Sequence, residues 1–208
     1  MAPQGVGPDA RPAVTDLLRA ARHGDRGALD TLFPLIYDEL RSVARRQRRP
    51  WNGDLTLDTT GLVHETYLKL AAQERIDATS RAHFFAVAAT AMRHILCNHA
   101  RDRHRLKRGG NAPHASLEEL GEAGPPALPG LIMSDEDADR IVALDDALQR
   151  LESVDPRQAR IVEYRFFAGL SIEDTAAALG VSPATVKRGW TMARASLYRD
   201  MRVALAIE

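Results

Sequence analysis

A chain of 208 residues, 45% hydrophobic and 27% charged, can bury one or two small cores and is too polar for a membrane-embedded protein. One cysteine, Cys97, excludes an intramolecular disulfide and suits a reducing cytosol, so the expected location is cytoplasmic. The net charge of zero hides an asymmetry. Residues 1–115 hold 18 basic and 12 acidic side chains (+6), residues 116–155 hold 2 and 11 (−9), and residues 156–208 hold 8 and 5 (+3). Two basic lobes around an acidic connector point to nucleic acid more strongly than the overall balance does.

In chain order, residues 1–14 read as a disordered tail, since no apolar stretch of the signal-peptide kind follows Met1. No later run approaches the roughly 20 apolar residues of a membrane span. A first helix is expected over residues 15–24 and a second over 25–49, with Pro34 kinking or splitting it. Residues 50–53 (Pro-Trp-Asn-Gly) form a turn. A third helix, about 59–72, buries Leu62, Val63, Thr66, Tyr67 and Leu70. A fourth, about 81–105, carries Phe84, Phe85, Val87, Ala88, Ala91, Met92 and Ile95 before turning strongly basic. Glycines and prolines then break the pattern, and residues 109–133 read as a flexible linker. Helices resume at residue 134, through Leu144, Leu148 and Leu151, and again over 156–168. Nothing reads as a strand. The expected fold is all-α, with helical domains at 15–108 and 134–208 joined by the linker.

The most specific pattern lies near the C-terminus. Ser171 is placed to cap a helix whose first turn holds Glu173 and Asp174, and Gly180 to end it in a left-handed conformation. Ser182 then caps a second helix with Pro183 in first position. Val186, Trp190, Ala193 and Leu197 make its buried stripe, leaving Thr185, Lys187, Arg188 and Thr191 outward. A capped helix offering hydroxyls and two cations suits a DNA major groove, so the pair reads as a helix-turn-helix. Gly189 inside that helix should cost about 1 kcal/mol relative to alanine.

Two further basic stretches share the first lobe: Arg41, Arg45, Arg46, Arg48 and Arg49, and the run from Arg101 to Arg108. Together they suggest a phosphate-binding face rather than solvated helix ends. His83 is expected to be exposed, with Phe84 and Phe85 in the core. His94, His99 and His104 with Cys97 lack metal-ligand spacing, since a five-residue step does not return to one helix face. No nucleophile, paired carboxylates or phosphate loop stands out, so no catalytic residue, metal or cofactor is expected.

As an ordered series from residue 15 to residue 202, these parts resemble a bacterial RNA polymerase sigma factor of the extracytoplasmic-function (ECF) type. Residues 57–70, with Leu62, His64, Glu65, Leu68 and Lys69, resemble the helix that docks on the clamp of the largest polymerase subunit. Family members often carry acids and a glutamine where this chain has Thr60, Gly61 and His64, so docking would rest on Glu65 and apolar contact. Residues 80–108 resemble the element that melts the downstream promoter box. The resemblance implies strand contacts by His83, Arg93, Arg101, Arg103 and Arg105, and upstream-element contacts by Ser182, Thr185, Lys187, Arg188 and Thr191. It adds backbone contacts by Arg160 and Arg165. The implied partners are core RNA polymerase, through its clamp and flap, promoter DNA, and an anti-sigma protein as a further candidate, with no membrane involved.

Overall fold

The computed structural model describes residues 10–48, 55–73, 76, 78–107 and 135–205. The expected turn at 50–53, the linker at 109–133 and most of the expected tail lie outside the described residues. All regular structure among the described residues is helical.

Helix α1 (Ala10–Arg22) begins earlier than the pattern suggested and packs Val14, Leu18 and Ala21 inward at helical spacing. Helix α2 (Arg26–Arg48) runs through Pro34 as one element. Pro34 itself is exposed, while Leu32, Ile36 and Leu40 on either side of it are buried. That packing outweighs the missing backbone hydrogen bond, so the helix does not split. Helix α3 (Leu55–Ala71) buries Leu62, Val63, Thr66 and Leu70 as expected. Tyr67 is only half-buried, and its hydroxyl donates to Asp30 at 2.7 Å.

Helix α4 (Arg81–Lys107) is the centre of the molecule. It packs on α1, α2 and α3 from the N-terminal half and on elements of the C-terminal half opposite them. This two-sided burial explains why Phe84, Phe85, Ala88, Met92, Ile95 and Leu96 leave it no single apolar stripe.

The C-terminal half opens with α5 (Asp135–Val154). Helix α6 (Pro156–Val162) is capped by Asp155, whose carboxylate accepts from the amides of Arg157 and Gln158 at 3.1 and 3.0 Å. These backbone donors, Gln158 first, hold the Asp155 carboxyl below its usual range. The chain then widens into a π-helical turn (Glu163–Phe167), where the Ala168 amide donates to Glu163 O at 2.9 Å. Gly169, at φ +72°, stops it. Helices α7 (Ile172–Leu179) and α8 (Pro183–Ala204) complete the fold.

A single buried cluster runs from Val14 to Leu197 through both halves. A satellite cluster of Ile161, Ala176 and Val186 lies under α7 and α8. The two halves, expected from the sequence pattern as separate domains, pack against each other across α4, α5 and the π-helical turn.

Candidate nucleic-acid interface

The α7–α8 pair is built by its caps. Ser171 Oγ accepts from the Asp174 amide at 2.9 Å and opens α7. Gly180, at φ +64°, closes it, and the Val181 amide returns to Ala176 O at 3.0 Å. Ser182 Oγ accepts from the Thr185 amide at 3.2 Å, capping α8, and lies 2.9 Å from Thr185 Oγ1. Val186, Ala193 and Leu197 face inward. Lys187, Arg188 and Thr191 are exposed on the opposite face, the Thr191 hydroxyl donating to Lys187 O at 3.1 Å. A row of two cations and a hydroxyl thus stands free of the core, one turn from a capped helix start.

Behind this row, two guanidinium groups lie over the Trp190 ring, Arg165 at 5.9 Å and Arg194 at 5.8 Å from its centre. Arg165 also donates to Leu170 O at 2.5 Å, so its side chain braces the entry to α7. Arg160 is exposed.

On α3 the structure divides the expected docking residues. Leu62 is fully buried and faces the core. His64 and Leu68, four residues apart, share the outer face, with Leu68 60% exposed. Glu65 is half-buried beside His99, whose pKa is lowered by burial against an opposing pull from Glu65. Lys69 is half-buried, and desolvation lowers its pKa. An isolated exposed leucine needs no explanation, but one set among polar groups suits a docking face.

On α4 the expected strand-binding residues whose side chains are described do not form an open patch. His83 Nδ1 accepts from the Thr79 amide at 3.3 Å, and its ring lies 6.1 Å from that of Tyr164. Arg93 is buried, in ion pairs with Asp145 of α5 and, at 3.1 Å, with Glu163 of the π-helical turn. Arg101 bridges Asp145 and Asp146 at 3.1 and 3.2 Å. Arg103 and Arg105 lie on α4, but their side chains are outside the described residues. The first basic stretch is also divided. Arg45 is exposed and Arg48 buried, while Arg46 donates to Ala168 O at 2.7 Å across the seam between the halves. These cross-half partners were missed by sequence reasoning, because no local pattern marks them.

The seam carries the strongest electrostatic shifts. Burial first, then the charges of Arg93 and Lys69, pushes His94 down to about 4. The neutral ring can then accept from Arg93 Nη2, 3.2 Å from its Nε2. Burial, with Asp145 next, pushes the Cys97 thiol up to about 12. Desolvation raises Glu163 despite the opposing pull of Arg93. A cleft of about 340 Å³ opens at the seam between Lys69, His83, His94, Arg160 and Tyr164. Among the described residues no cluster of His, Cys, Asp and Glu could hold a metal ion, and no helix is long and apolar enough to cross a membrane.

A model of the ECF sigma factor family matches residues 11–203. Comparison with curated proteins and with solved structures returned no match.

Proposed function

Because this chain belongs to the ECF sigma factor family, whose members act in transcription initiation with core RNA polymerase and promoter DNA, we propose specific roles for its exposed faces. The α7–α8 pair reads the upstream promoter element. Ser182 and the start of α8 meet a phosphate, while Thr185, Lys187, Arg188 and Thr191 meet bases and backbone. The outer face of α3, with His64, Glu65, Leu68 and Lys69, docks on the clamp of the largest polymerase subunit, Leu62 shaping that face from beneath. Helix α4 supports promoter melting, with His83, Arg93, Arg101, Arg103 and Arg105 along the displaced strand. Residues 15–108 and 134–208 serve as separate working units, joined by 109–133. The chain supplies specificity, and the polymerase supplies the chemistry.

The observation that supports this reading most is the Lys187–Arg188 pair, exposed near the capped start of a helix whose other face is core. Co-elution of the purified chain with core polymerase at low salt tests the docking step. A stable one-to-one complex is expected, and no association would overturn it.

A further inference from the structure

The cleft lined by Lys69, His83, Arg160 and Tyr164 holds about 340 Å³, the size of a small-ligand site rather than of a packing defect. Several elements build its walls. Lys69 comes from the end of α3 and Gln73 follows it, His83 and Thr90 come from α4, and Arg160 from α6. Tyr164 comes from the π-helical turn, a kind of turn that recurs at functional sites. Ala86 and Ala91 line the cleft too, and their short side chains leave space that larger residues would fill.

The charges of this cleft favour an anion. Lys69 is half-buried, and desolvation lowers its pKa with no acid opposing the shift. Among the described residues no carboxylate pairs with Lys69 or with Arg160. Glu163 is the one carboxylate among the described residues that line the cleft, and its charge is already met. Arg93 donates to it at 3.1 Å, and the Thr90 side chain hydrogen-bonds to it. His94, with its pKa at about 4, is neutral at pH 7. His83 Nδ1 accepts from the Thr79 amide, so the neutral ring carries its proton on Nε2 and remains a donor. Holding an ammonium partly out of water without a counter-ion is costly, and an anion beside it lowers that cost.

The remaining lining suits a flat organic body. The Tyr164 and His83 rings lie 6.1 Å apart, tilted by 42°. Tyr164 is 5% exposed, so its ring is held by packing. Leu70 and Val87 add apolar surface, and the Gln73 carboxamide offers both a donor and an acceptor. Aromatic and apolar surface beside cations is the combination that takes up a base and its phosphate together.

We propose that this cleft binds a free nucleoside monophosphate, its phosphate between Lys69 and Arg160 and its base against Tyr164 and Val87. Occupancy gives the chain a small-molecule input separate from the DNA-facing residues of α8. The site depends on neither the promoter contacts nor the polymerase docking given above.

Isothermal titration calorimetry on the full chain, with no polymerase or DNA present, tests it. The probes are AMP, GMP, CMP and UMP, their four nucleosides, and inorganic phosphate. At least one nucleotide is expected to bind one-to-one with a Kd on the order of 0.1 mM or tighter. Its nucleoside and inorganic phosphate should each bind at least about tenfold more weakly, since each keeps only one part of the contact. Lys69→Gln and Arg160→Gln should each weaken the nucleotide by about tenfold. Arg157→Gln removes an exposed cation of α6 that does not line the cleft, and it should leave affinity unchanged. Circular dichroism checks the helix content of each variant, and if Lys69→Gln loses helix, Arg160→Gln decides. No binding by any of the four nucleotides would overturn the proposal. So would inorganic phosphate binding as tightly as the best nucleotide, or equal losses in Arg157→Gln and in the cleft variants.

Discussion

Gly189 of α8 lies so close to Ile161 of α6 that a Cβ built on it would fall 2.6 Å from Ile161 Cδ1. The glycine that propensity marks as a cost is therefore what lets the two helices meet. Ile161 is 1% exposed, so its side chain has little room to move aside. Gly189→Ala should gain up to about 1 kcal/mol of helix propensity and lose about 2 kcal/mol to overpacking, a net loss on the order of 1 kcal/mol. Ile161→Val removes the clashing methyl. In that background Gly189→Ala should become neutral or stabilising, and the reversal of sign in urea unfolding is the check.

That contact illustrates what local pattern conveys and what it omits. The caps of α7 and α8 were legible because each is a short-range arrangement: Ser171 bonds three residues ahead, Ser182 likewise, and Gly180 needs only its own φ. The all-helical class and the buried stripe of α8 were legible for the same reason. Arg46 and Arg93 were not. Their partners lie 122 and 52 residues away, and a sequence shows only that such arginines sit in basic company. At Pro34 the local pattern left a split open, and α2 stays continuous because the neighbours that hold it together act through tertiary packing. Leu62 was rightly expected in the core, which confines it to an indirect part in the proposed docking.

On α8, replacing an exposed side chain should separate binding from folding. Arg188→Ala is expected to weaken promoter binding by about 1–3 kcal/mol if the guanidinium reads a guanine through two hydrogen bonds. Unfolding free energy should stay within about 0.5 kcal/mol of wild type. Lys187→Ala, acting on phosphate, should weaken all sequences alike and reduce the salt slope by about 1. Fluorescence anisotropy at several salt concentrations distinguishes the two.

The outer face of α3 makes a matching prediction for the polymerase. Leu68 is 60% exposed and contributes little to the core. Leu68→Glu should leave stability within about 0.5 kcal/mol while weakening polymerase affinity by about tenfold or more, as expected for an apolar anchor. Titration of core enzyme with the labelled chain measures it. Unchanged affinity would remove this face from the docking surface.

Stability should fall with acid through His94. Its folded pKa of about 4 lies below the ordinary value of 6.5, so the unfolded chain binds this proton first. The stability present above pH 6.5 is therefore lost as pH falls toward 4, by on the order of 1 kcal/mol between pH 7 and pH 5 after solvent screening of this partly buried ring. His99, also lowered by burial, acts in the same sense, and Glu163, raised by burial, acts in the opposite one. His94→Gln should remove most of the His94 share. Urea unfolding at pH 7, 6 and 5 compares the two slopes, and parallel slopes would contradict the assignment.

The role proposed for this chain is to give core RNA polymerase its promoter. Run-off transcription with purified core enzyme, fragmented genomic DNA and the chain, followed by sequencing of the transcript starts, tests it most directly. Discrete starts that share one bipartite upstream sequence, that need the chain and that weaken with Arg188→Ala are the expected result. Starts identical with and without the chain would contradict the account.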